Sequence, residues 1–187
     1  TTLRIDNVKL VLPDRIAENF SLEIQDGHIK SISPAGRSAI KPQKSDAIVD
    51  GKGNYLAPGF IDLHIHGLHD KLVDAGPDHL HAICSLLPRY GVTGFLPTVL
   101  PLTVPEHERY LEKLAKQSPE GTRILGFFLE GPFLGLTGAI PPDALIPPTE
   151  ERVRTLMEAT EPYQAVFAVS PELPNIDTLI PIMRASG

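Results

Sequence analysis

Leu56-Ala-Pro-Gly-Phe-Ile-Asp-Leu-His-Ile-His-Gly67 places two imidazoles two residues apart on an otherwise apolar run. The run reads as a β-strand, along which side chains alternate faces, so Asp62, His64 and His66 share one face while Ile61, Leu63 and Ile65 share the other. Both faces can be buried only if the polar one lines a cavity. Two neutral histidines side by side at a strand end can bind one divalent cation through nitrogen, at about 2.0–2.1 Å each. The competing reading is a solvated edge strand that carries two histidines by chance, since so short a spacing needs context. Pro58-Gly59 before the strand and Gly67 after it supply turn signals at both ends.

Three stretches carry a family resemblance. Residues 57–67 resemble the first barrel strand of the amidohydrolase superfamily, and Gly91-Val-Thr-Gly-Phe-Leu-Pro-Thr98 and Gly126-Phe-Phe-Leu-Glu-Gly-Pro-Phe-Leu134 are similar to N-acetylglucosamine-6-phosphate deacetylases. Leu-Glu-Gly-Pro-Phe is the most specific of these signatures, and with a matching N-terminal segment the resemblance covers essentially the whole chain. It implies a small β-sandwich followed by a (β/α)8 barrel whose metal site releases acetate from an amino-sugar phosphate. Such a barrel takes about 250 residues, and this chain has 187. The expected fold is therefore α/β: residues 1–55 as the N-terminal part of a small β-sandwich, and residues 56–187 as the first half of a TIM-type barrel with about four βα units. The chain reads as truncated, with the family's later metal-binding histidines and its catalytic aspartate beyond residue 187. No catalytic acid or base is assigned within it.

Leu3 to Leu12 alternates as strand; Ser21 to Ile32 reads as a hairpin turning at Asp26-Gly27, the pair favoured in type I′ turns; residues 33–47 read as a loop, and Ile48 to Leu56 as a second hairpin. From residue 56 strands (57–66, 92–98, 123–130, 165–171) alternate with helices (77–90, from Pro105, 149–159, 175–185), which argues for a parallel sheet.

Catalytic groups in barrels of this kind sit at the C-terminal strand ends, where His64, His66 and Glu130 fall. A carboxylate at the barrel mouth beside Gly131-Pro132 is costly without a cation or hydrogen bonds. The resemblance implies that Glu130 is a metal ligand and that His64 and His66 hold a second metal where both are kept, so that one or two zinc or iron ions are expected. The other reading of Glu130 is a loop carboxylate capped by N–H groups. Asp62 either supports a metal-binding histidine from behind or bonds the backbone. His69 reads as solvated, as does His28, and His79, His81 and His107 as surface residues of helices. Glu106, Glu108, Glu150 and Glu151 read as helix N-terminal charge, and Cys84, among Ile83, Leu86 and Leu87, as a buried inert thiol.

Two departures bear on the substrate. The resembled family carries a histidine two residues before the motif glutamate, where this chain has Phe128, and a Gly-Ala-His step where it has Gly138-Ala139-Ile140. Gly138 and Ala139 are the substrate-binding candidates, and the missing histidine bears on amino-sugar specificity. The alternatives are a different amide or cyclic-amide hydrolase on the same scaffold, since fold does not fix substrate, and, because half of the expected barrel is absent, a non-catalytic fragment or binding module. The resemblance implies an N-acetylated amino-sugar phosphate as small-molecule partner and a homodimer as the assembled state. A net charge of −6 and a pI near 5.6 offer nothing to nucleic acid or anionic lipid, and no apolar run approaches the ~20 residues of a membrane span. The expected location is cytoplasmic.

Overall fold

The computed structural model describes residues 2–37 and 47–185. It is a mixed α/β chain that divides into two compact units, Thr1–Pro58 and Gly59–Gly187.

The first unit is a five-stranded sheet of β1 (Thr2–Val11), β2 (Ile16–Gln25), β3 (His28–Pro34), β4 (Ala47–Asp50) and β5 (Tyr55–Leu56). β2 and β3 form the expected hairpin: Asp26 and Gly27 both take positive φ, 50° and 76°, which is the type I′ requirement that selects this pair. The second expected hairpin does not form. β4 and β5 both run parallel to β1, at Leu3–Asp6 and at Lys9–Leu10, and do not pair with each other. Between them Lys52 and Gly53 adopt positive φ, and the Gly51 and Gly53 N–H groups donate to the Asp6 and Asn7 carbonyls, so the chain returns to the same strand in the same direction. The expected loop is shorter than residues 33–47: Ser33 and Pro34 belong to β3, Ala47 begins β4, and residues 38–46 lie outside the described residues. A small core of Val8, Leu10, Ala17 and Leu22 holds this unit.

In the second unit the strands β6 (Phe60–Ile65), β9 (Val92–Val99), β10 (Arg123–Ile124), β11 (Gly126–Leu129) and β12 (Gln164–Phe167) are parallel, and β9 pairs with β6, β10 and β11. A short antiparallel ribbon, β7 (Gly67–Leu68) with β8 (Lys71–Leu72), follows β6. The helices α1 (Pro77–Leu86), α2 (Glu106–Ala115), α3 (Glu150–Ala159) and α4 (Ile176–Arg184) alternate with the long strands. Proline can start α1 because its missing N–H is unpaired at that position anyway, and Thr149 caps α3 by accepting the Arg152 N–H at 3.2 Å. Leu80 and Ile83 of α1, Leu111 and Leu114 of α2, and Val153 and Leu156 of α3 meet Phe95, Phe127 and Leu129 of the sheet in one core. Each such side chain contributes about 1.5–3 kcal/mol by leaving water.

Several boundaries differ from the sequence expectation: the strand expected at 165–171 spans Gln164–Phe167, and the helix expected at 77–90 ends at Leu86, where a 3-10 turn over Leu87–Tyr90 takes over. The strand expected at 123–130 breaks at Leu125, whose N–H bonds the Phe95 carbonyl as the pairing on β9 resets. The strand expected at 57–66 begins at Phe60, after the Pro58-Gly59 step, and ends at Ile65.

Nor is that strand buried on both faces. Phe60, Ile61 and Leu63 are 70%, 59% and 62% exposed, and among the described residues β6 pairs only with β9. An apolar strand with one free edge is a template for another chain. The wild-type chain is accordingly expected to self-associate in size-exclusion chromatography with light scattering. Ile61→Lys combined with Leu63→Lys should shift it toward monomer; a monodisperse wild-type monomer would contradict this.

Candidate metal centre

β6 and β11 both pair with β9, and the residues at their C-terminal ends form the only cluster of three metal-ligating side chains among the described residues: His64, His66 and Glu130. Alternation along the strands accounts for the grouping. Phe127 and Leu129 point into the helix-covered core, where both are fully buried, which leaves Phe128 and Glu130 on the face that His64 shares. Gly131, directly after the glutamate, has φ of 115°, a conformation side chains resist, and a Cβ there would meet the Pro101 ring at 3.0 Å.

The three donor atoms converge. His64 Nε2 lies 3.1 Å from His66 Nε2 and 3.6 Å from Glu130 Oε2, and His66 Nε2 lies 2.9 Å from Glu130 Oε2. A tetrahedral ion at 2.0–2.1 Å from each ligand requires ligand atoms about 3.3 Å apart, so the spacing fits one ion. Glu130 Oε2 is also shielded from solvent and, despite the nearby imidazole, makes no hydrogen bond of acceptable geometry. An orphaned carboxylate oxygen facing two imidazoles is a donor set for a borderline cation such as zinc.

Asp62 Oδ1 accepts the His64 backbone N–H at 3.1 Å and so acts on that residue through its main chain, not its ring. Phe128 lays its ring 4.6 Å from the His64 ring. His66 and Glu130 line a cleft of about 560 Å³ together with Leu72, Leu100, Leu134, Gly138, Ala139 and Ile140. Ile140 is 7% exposed. Asp74 lines the same cleft and went unnoticed in the sequence, where nothing local marks it. It keeps a solvent-facing side, yet desolvation raises its carboxyl pKa; the Leu100 N–H and His66 oppose that shift and Glu130 adds to it.

The remaining candidates lie elsewhere. His69 bonds the Tyr90 hydroxyl at 2.8 Å and is exposed, His79 Nδ1 accepts the Leu72 N–H, and His81 meets Gln117. Cys84 is buried and its thiol is pushed up to about 12 by desolvation, which leaves it inert. Two readings need correction. His107 is not on the surface but 1% exposed, with Nδ1 accepting the Leu102 N–H at 3.2 Å. Glu108 is not simply helix-terminal charge: it is buried and paired with Arg152 of α3. His107, Leu111 and Leu114 follow the i, i+4, i+7 spacing of a buried helix face, the signal that could have placed the imidazole inside.

No protein-family model matches the chain. It is 28% identical over 192 residues to the N-acetylglucosamine-6-phosphate deacetylase of Lysinibacillus sphaericus, covering all of this chain and 48% of that protein. The crystal structure of N-acetylglucosamine-6-phosphate deacetylase from Pasteurella multocida superposes with a TM-score of 0.78 at 18% identity, covering all of this chain and 49% of the other. A Mycobacterium smegmatis enzyme, solved as a variant in complex with N-acetyl-D-glucosamine-6-phosphate, gives a TM-score of 0.73 at 23% identity, covering all of this chain and 47% of that one. These structures share the fold. The chain spans about half the length of the curated relatives it matches.

Proposed function

We propose that this chain, which matches the N-terminal half of N-acetylglucosamine-6-phosphate deacetylases, contributes the His64, His66 and Glu130 side of a metal-dependent amide-hydrolysing site. The convergence of the three donor atoms within 3.6 Å carries the reading. A divalent ion held there, zinc or iron, supplies a Lewis acid that polarises a carbonyl and acidifies water. The chain's own residues do the rest of what can be assigned. Asp62 fixes the His64 backbone, Phe128 restricts the His64 ring, and the apolar wall of the cleft keeps water from the acyl group of a substrate. On this reading residues 1–55 belong to a small β-sandwich and residues 56–187 form the first half of a (β/α)8 barrel. The substrate is an N-acetylated amino-sugar phosphate, and the assembled enzyme is a cytoplasmic homodimer.

The proposal is tested by coexpressing the chain with the C-terminal half of the Lysinibacillus sphaericus relative and following acetate release from N-acetylglucosamine 6-phosphate. Release should require both pieces and Glu130, and the chain alone should give none. A stable complex that is silent with saturating zinc counts against the assignment. The same assay examines Ile140. A buried isoleucine facing a polar substrate oxygen leaves that oxygen unpaired at a cost of roughly 1–3 kcal/mol, about ten- to hundredfold in rate. Ile140→His is therefore expected to raise turnover of the amino-sugar phosphate by that factor. Efficient wild-type turnover with no gain from the substitution would show the isoleucine to be neutral.

A further inference from the structure

Val73 and Asp74 lie between β8 and α1, and each reaches a different strand end. The Val73 N–H donates to the His66 carbonyl at 2.8 Å. Asp74 Oδ1 accepts the N–H of Leu100, the residue directly after β9, at 3.3 Å. One residue earlier, the Val99 carbonyl accepts the Glu130 N–H at 3.1 Å. The dipeptide is itself anchored: the Val73 side chain is fully buried, and its carbonyl accepts the Tyr110 hydroxyl at 2.6 Å. A continuous hydrogen-bonded path thus connects His66 to Glu130 through Val73, Asp74, Leu100 and Val99, and its one side-chain step is the Asp74 carboxylate.

We infer that Asp74 is a positioning residue, holding the end of β9, and with it Glu130, at the spacing from His66 that a shared divalent ion requires. This rests on the proposed metal site. Among the described residues β6 and β9 share strand pairing only as far as Ile65 with Pro97, and His66 and Glu130 lie beyond it. A ligand left without its supporting hydrogen bonds samples more orientations, and loss of such support typically costs 10–100-fold in metal affinity.

Cobalt(II) titration of the 187-residue chain, followed by visible absorption and calorimetry, tests the inference together with amide hydrogen exchange of the metal-free protein. Asp74→Ala should weaken cobalt binding 10–100-fold and speed exchange at the Leu100 and Glu130 amides. Asp74→Asn keeps an oxygen for the Leu100 N–H and should stay within about threefold of wild type. The inference is overturned if the alanine variant binds cobalt as tightly as wild type. It is equally overturned if the asparagine variant fails as badly as alanine, which would make the charge and not the hydrogen bond the active feature. A wild-type chain that takes up no cobalt counts against the metal site itself. The exchange data still judge the tie between strand ends, and unchanged Leu100 protection in the alanine variant refutes it.

Discussion

Glu130→Ala is expected to remove divalent-ion binding from this chain, a loss larger than the roughly 10–100-fold that follows when a residue merely supporting a ligand is deleted. The reason is the donor count. With three donors converging, removal of the carboxylate leaves two neutral imidazoles 3.1 Å apart and no anionic donor among them. His64→Ala and His66→Ala should each weaken binding less, since each leaves a nitrogen and the carboxylate in place. Glu130 sits partly exposed at a strand end, not in the core, so the alanine variant should fold, and an unchanged helical signal would show that it does. Calorimetric titration with zinc distinguishes the cases. Equal zinc affinity in wild type and Glu130→Ala would exclude the carboxylate from the site.

The second large effect is acid destabilisation of the α2–α3 contact. Desolvation pushes His107 down from 6.5 to about 4 in the folded chain; Glu108 opposes that shift and Arg152 reinforces it. Burial therefore favours the neutral imidazole, while the unfolded chain protonates near 6.5. Stability is unaffected above the unfolded value and falls as pH drops from about 6.5 toward 4, the loss reaching about 3 kcal/mol once both states are protonated. All four α-helices of the described residues lie in the Gly59–Gly187 unit, so unfolding followed by the helical circular-dichroism signal reports on it. His107→Gln, which keeps an acceptor for the Leu102 N–H without a titrating ring, should lose much less stability between pH 7 and pH 4.5 than wild type. Parallel pH profiles for the two proteins would show that His107 is not the titrating group.

The alternation of strands and helices after residue 56 was legible because apolar residues repeat at period 2 in the strands and near 3.6 in the helices, a local signal that packing then uses directly. Asp26-Gly27 was legible for the same reason: only a few residue pairs tolerate two successive positive φ angles. The pairing of β4 and β5 with β1 was not, since nothing in residues 48–56 distinguishes a hairpin from two short strands laid along a third that lies forty residues earlier. The exposure of Ile61 and Leu63 was hidden because alternation tells which side chains share a face, and not whether anything covers that face. At the candidate metal centre, His64, His66 and Glu130 were each visible as a histidine or carboxylate at a strand end. Asp74 was not, because its place at the cleft depends on a turn through β7 and β8 that brings it to Leu100.

Crystals of the chain soaked in zinc, with diffraction measured on both sides of the zinc absorption edge, test the metal centre most directly. One anomalous peak is expected, about 2.0–2.2 Å from His64 Nε2, His66 Nε2 and Glu130 Oε2. A strong peak elsewhere on the molecule, with these three side chains unliganded, would contradict it.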